Sequence, residues 1–85
     1  MNKISVLGGG SWGTTLANLL AAKDLNVSIW ARDPKIFVKK KNTLINKKYL
    51  PKYTLSSKLK IQQDIKEAVL SANLIIIAIP VSYTH

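Results

Sequence analysis

Cysteine is absent from the 85 residues, which excludes a disulfide scaffold, a cysteine-ligated metal and a thiol nucleophile. Histidine occurs once, at the last position, His85, which is a poor place for a catalytic base; no metal site is expected. Long apolar runs are missing as well. The longest, Leu74 to Ile79, falls far short of the roughly 18 residues of a membrane span, and the glycine cluster near the start interrupts any secretory core. These absences predict a soluble, cytoplasmic protein without membrane insertion. The length allows one small domain at most.

Acidic residues are scarce: four stand against twelve lysines and one arginine, for a net charge of +9. Lysines can neutralise nucleic-acid phosphates without a fold-specific site, so a lysine-driven binding module is one reading. Two features weigh against it. A single arginine leaves no set of guanidinium groups for bidentate contacts, and aromatic and basic residues are not interleaved as in single-strand binders. The enrichment in lysine, isoleucine and asparagine is also what A+T-rich coding sequence produces. The expectation is no nucleic-acid partner and a mild pull on anionic ligands.

What the chain does contain is Gly8-Gly9-Gly10-Ser11-Trp12-Gly13, placed between an apolar run, Ile4 to Leu7, and a segment with Leu16, Leu19 and Leu20 at helical spacing. A G-x-G-x-x-G match alone is weak; between a strand and a helix it is a specific device for a dinucleotide. Gly8 allows the sharp turn off the strand, Gly10 leaves the backbone open to a pyrophosphate, and Gly13 lets the helix lie close to the strand. The helix start aims free N–H groups and the positive end of its dipole at the same point. Ser11 stands at the expected N-cap, where its hydroxyl can cap the helix or turn to a phosphate. Trp12 either anchors a core, the commoner role, or meets the ligand.

A polar turn at Lys23-Asp24 and Asn26 leads to a second strand, Val27 to Ala31, completing a βαβ unit. In such a unit an acid at the end of the second strand holds the adenosine ribose and favours NAD. Ala31 occupies that place, and Arg32, suited to a 2′-phosphate, follows it. The cofactor expected is therefore NADP or NAD, with NADPH favoured. Asp33 could instead serve the ribose, or cap a helix that Pro34 begins.

Pro34 to about Thr43 is expected as a basic helix, and Asn42 to Ser57 as an irregular loop in which Tyr49 and Leu50, before Pro51, pin the segment to the sheet. Leu59 to Ile61 is a short strand, and Asp64 starts a helix to about Ser71 that buries Ile65, Ala68 and Val69. Leu74 to Ile79 is a continuous apolar run, expected as a central parallel strand covered on both faces and ended by Pro80. The fold class is α/β, a Rossmann-type doubly wound parallel sheet, incomplete, with strand order 3-2-1-4. Ala78 to Val81 would form the far wall of the crevice beside the glycine turn.

Several stretches together resemble the N-terminus of bacterial NAD(P)-dependent glycerol-3-phosphate dehydrogenase: Ile4 to Ala17 with Ser11-Trp12-Gly13-Thr14 in the turn, Ile29-Trp30-Ala31-Arg32, Asn46 with Tyr49-Leu50-Pro51, and Ala78-Ile79-Pro80. The resemblance runs from Met1 to about Val81, and Ser82 to His85 are less family-like. It implies a two-domain enzyme that reduces dihydroxyacetone phosphate to sn-glycerol 3-phosphate for phospholipid synthesis. By the same resemblance Ser11 and Trp12 contact the cofactor at the pyrophosphate turn, Arg32 its adenosine end, and Tyr49 joins from the loop; with Gly8, Gly10 and Gly13 of the motif these are the expected cofactor-binding residues. The family's catalytic lysine and helical substrate domain would lie beyond residue 85. Residues 1–85 are thus expected to be the N-terminal part of the cofactor domain, inactive and marginally stable alone. A related two-domain dehydrogenase of another small hydroxy acid or sugar derivative is the alternative.

Overall fold

The computed structural model describes residues 2–79. Strand β1 (Lys3–Leu7) forms because β-branched and aliphatic residues dominate a segment ended by glycine; Ser5, Val6 and Leu7 are buried. Ser5 is a polar residue in a buried strand, and its hydroxyl donates to the carbonyl of Ala68 at 2.7 Å. That bond removes the cost of burying it and ties a helix to the sheet.

Helix α1 (Ser11–Ala22) packs on the sheet through Gly13, Thr14, Ala17 and Ala21. Gly13, Ala17 and Ala21 recur every four residues, so it is a stripe of small residues that faces inward, and Leu19 is exposed instead. Small side chains let the helix approach the strands closely. The helix ends through Asp24, whose positive φ of 66° turns the chain, with its N–H donating to Ala21 at 3.0 Å.

Strand β2 (Asn26–Trp30) runs parallel to β1 in the register Lys3 to Asn26 through Leu7 to Trp30. Two further parallel partners complete the sheet, β6 (Lys60–Gln62) beside β2 and β7 (Leu74–Ile77) beside β1. The order is β6-β2-β1-β7, the predicted 3-2-1-4. The chain reverses its direction of winding at β1, and the carboxyl ends of β1 and β7 define a switch-point crevice.

The segment between β2 and β6 departs from expectation. A helix was predicted over Pro34 to Thr43; only Pro34–Ile36 is helical, as one 3-10 turn, and the chain continues as strand β3 (Phe37–Lys40). The expected loop from Asn42 to Ser57 holds strands β4 (Thr43–Asn46) and β5 (Leu50–Leu55), which complete an antiparallel sheet β3-β4-β5. The physical reason lies in the turn. Lys40 pairs with Thr43, and Lys41 and Asn42 between them have φ of 48° and 71°, the two left-handed residues of a tight hairpin. Leu44 and Leu55 join Val6, Ala17, Val27 and Ile29 in one apolar core.

Helix α2 (Ile65–Leu70) starts on Asp64, whose carboxylate accepts from the Lys66 N–H at 2.9 Å. It buries Ala68 but leaves Ile65 and Val69 exposed, contrary to expectation. The apolar run at Leu74 to Ile79 does pair with β1. Among the described residues, however, β7 is an edge strand and is not covered on both faces: Leu74, Ile75 and Ile77 are exposed, Ile77 to 70%. Pro80 and Val81 lie outside the described residues, as do Ser82 to His85.

Candidate functional site

The glycine turn leaves β1 at the carboxyl edge of the parallel sheet, where it meets the end of β7. Gly8 has a φ of 128°, a region closed to other residues, and a Cβ there would sit 2.5 Å from the Ala78 carbonyl oxygen. Its N–H donates to Trp30 at 2.7 Å, and the Ala78 N–H donates to Leu7 at 2.8 Å, so the turn is pinned between β2 and β7. Gly9 and Gly13 are packed rather than open: a Cβ on the first would collide with Ala31, and on the second with the Gly8 carbonyl. Gly10 differs from all of them. A Cβ there would meet nothing within 4 Å, and its backbone is ordinary extended chain.

Gly10, not Ser11, is the N-cap of α1, and no side chain caps the helix. Ser11 is instead the first helical residue and is exposed, because the chain enters the helix one residue earlier than expected. No acidic residue stands in the first turn, so the positive end of the dipole is uncompensated and faces open space. Trp12 is 68% exposed at that end and therefore anchors no core.

Ala31, directly after β2, is buried against Gly9. Arg32 follows as an exposed cation. Asp33 is committed elsewhere: its carboxylate accepts from the Lys35 N–H at 3.1 Å and caps the 3-10 turn. Tyr49 is half exposed, with the Lys48 ammonium 5.2 Å from its ring centroid. The glycine turn, the end of β2 that leads into Arg32 and the segment that leads into Tyr49 thus meet at Gly9, Ala31, Ile36 and Asn46, of which all but the partly exposed Gly9 are buried.

Asn46, Thr14 and Gly9 were not singled out as site residues. Asn46 has no solvent exposure, and its amide donates to Gly9 at 2.9 Å and to the Thr14 hydroxyl at 2.8 Å. The Thr14 hydroxyl in turn donates to Gly9 at 3.2 Å. An asparagine ending a run of β-formers, Thr43-Leu44-Ile45, is the sequence signal that could have flagged it, since asparagine is depleted in strands. A cavity of about 340 Å³ lies away from the turn, between α1 and β5, with Asn18, Leu19, Tyr53 and Leu55 in its lining. Among the described residues no group of His, Asp or Glu could hold a metal, and no helix is long and apolar enough to cross a membrane.

Bare amides and an uncompensated helix dipole at a switch point are an arrangement that can hold an anion. A family model described as NAD-dependent glycerol-3-phosphate dehydrogenase N-terminus matches residues 3–85. The chain is 45% identical over 78 residues to a glycerol-3-phosphate dehydrogenase, NAD(P)+, of Acinetobacter baumannii, covering 92% of this chain and 22% of that protein. It is 49% identical over 77 residues to the enzyme of that name from Prosthecochloris aestuarii, covering 91% and 23%. Among solved structures, the glycerol-3-phosphate dehydrogenase of Coxiella burnetii superposes with a TM-score of 0.78 at 32% identity, over 93% of this chain and 24% of that one. That of Saccharomyces cerevisiae gives 0.70 at 26% identity, over 93% and 26%. The chain therefore spans about a quarter of the length of its relatives, and with the family model running over residues 3–85 it belongs to the family of NAD-dependent glycerol-3-phosphate dehydrogenase N-terminal domains.

Proposed function

We propose that the chain is the N-terminal part of the cofactor domain of an NAD(P)-dependent sn-glycerol-3-phosphate dehydrogenase, which reduces dihydroxyacetone phosphate in the cytoplasm and supplies phospholipid synthesis. The observation that carries this reading is the contrast among the glycines. Gly10 alone has empty space where its Cβ would be, at an uncapped helix start, so the one position free of packing is the one a diphosphate needs. The fit is to a cofactor's phosphates rather than to a general anion, because the same turn sits at the crevice where the strand order reverses.

Each residue then has a role. The N–H groups that open α1 hold the diphosphate, with the exposed Ser11 hydroxyl within the same turn and Trp12 flanking it. Arg32 takes the adenosine end, and Tyr49 closes over it from the β4–β5 connection. NADPH is favoured over NADH: Ala31 offers the ribose no carboxylate, Asp33 is held by its cap, and the exposed guanidinium of Arg32 suits a 2′-phosphate. When bound, the reduced nicotinamide supplies the hydride, and the protein's part here is to bind and orient it. The exposed apolar residues of α2 and β7, Leu70, Leu74 and Ile77 among them, support the reading that further chain covers this edge in the whole enzyme.

The test is to express the full-length gene product and follow loss of NADPH absorbance with dihydroxyacetone phosphate. Oxidation that depends on this substrate, and is faster with NADPH than NADH, is the expected result. Dinucleotide binding with turnover only on another hydroxy acid or sugar derivative would overturn the substrate; no dinucleotide binding would overturn the whole reading.

A further inference from the structure

The side chain of Asn46 uses all of its hydrogen-bonding capacity inside the protein. Its two amide protons go to the Gly9 carbonyl, at 2.9 Å, and to the Thr14 hydroxyl oxygen, at 2.8 Å. Its oxygen accepts from the backbone N–H groups of Lys48, at 3.2 Å, and Tyr49, at 3.1 Å. Because the Thr14 hydroxyl spends its proton on Gly9, the amide has one allowed orientation: reversed, its oxygen would face two acceptors and its protons two donors. The residue is wholly buried, so water cannot stand in for a lost partner.

Two parts of the proposed cofactor site hang on this one group. Across a planar trans peptide the carbonyl and the next N–H point in opposite directions, so anchoring the Gly9 carbonyl on Asn46 turns the Gly10 N–H away from Asn46. The same amide fixes the backbone of Tyr49 relative to the glycine turn. We infer that Asn46 is a positioning residue for the dinucleotide: it orients the Gly9–Gly10 peptide toward the phosphate side and couples the antiparallel hairpin to it. This rests on the cofactor reading above.

The variant that isolates the role is Asn46→Asp, which keeps size and the acceptor contacts to Lys48 and Tyr49 but places a carboxylate oxygen against the Gly9 carbonyl. Binding of NADPH to the full-length gene product is titrated by tryptophan fluorescence, at a temperature where near-UV circular dichroism shows the variant folded. The Kd is expected to rise roughly tenfold or more. Thr14→Val, which removes a single partner and preserves volume, should raise it about threefold, and it decides the matter if Asn46→Asp does not fold. A merely structural role predicts lower melting temperatures with an unchanged Kd in the folded protein, and that pattern would overturn the inference while leaving the cofactor reading intact. A wild-type protein that binds neither NADPH nor NADH would overturn both.

Discussion

Gly10 offers a perturbation whose effects on folding and on binding can be predicted separately. Changing Gly10 to Ala adds one methyl group at a position where nothing lies within 4 Å and where φ is −71° and ψ −177°, a conformation any residue adopts. Restricting the unfolded chain should stabilise by about 0.4–1 kcal/mol. Alanine is a poorer N-cap than glycine, at a cost of about 0.5–1 kcal/mol. The two nearly cancel, so stability should change by less than about 1 kcal/mol. Binding has no such compensation. A methyl group at the mouth of the helix keeps a diphosphate off the amides, and losing two charge-assisted hydrogen bonds at about 1.5–3 kcal/mol each amounts to about 3–6 kcal/mol. The Kd for NADPH should therefore rise about 10²–10⁴-fold with an almost unchanged melting curve. Fluorescence titration and thermal denaturation of the same sample measure both. Binding within about threefold of wild type, with the fold intact, would refute placement of the phosphates at Gly10.

Gly8→Ala should behave in the opposite way, since it combines a φ of 128° with a Cβ 2.5 Å from the Ala78 oxygen; a loss of about 2–4 kcal/mol is expected in denaturant titrations, and an unaltered midpoint would contradict it. Arg32→Ala should weaken NADPH binding about ten- to a hundredfold and NADH binding by less than about threefold, and equal losses would remove the assignment to the 2′-phosphate. Replacing the hairpin pair by Asn-Gly, as K41N/N42G, relieves two left-handed residues with φ of 48° and 71° and should stabilise by about 0.5–1 kcal/mol, read from the melting temperature.

The parallel sheet was legible because each of its strands announces itself locally. Apolar residues end at glycine in β1, β-branched and aromatic residues fill β2, and helix signals separate the others, so the winding rules leave one order. The antiparallel sheet was hidden because its turn is built from Lys41 and Asn42 rather than the usual Asn-Gly, and because Phe37–Lys40 lacks the period-two alternation of a half-buried strand, two apolar residues being followed by two lysines. In α1 the leucine spacing announced the helix but not its inward face, which is made of glycine and alanine because these fit the narrow space over the sheet. At the site, the role of glycine as a class was readable, while the division of labour among Gly8, Gly9, Gly10 and Gly13 depends on neighbours distant in sequence, such as Ala31 and Ala78. Asn46 escaped for the same cause, since its partners lie 32 and 37 positions away.

The position of β1 between β2 and β7 shapes how the chain must emerge from the ribosome. Its first neighbour ends at Trp30, but its second begins only at Leu74, paired with Ile4 across seventy positions of chain. At about 5–20 residues per second, one flank of the nascent strand waits roughly 2–9 s for its mate. During that interval the open backbone beside Ile4 and Val6 is a template for intermolecular pairing. Slower translation between codons 31 and 73 should therefore favour aggregation of the nascent chain, and holdase chaperones that cover an open strand edge should suppress it.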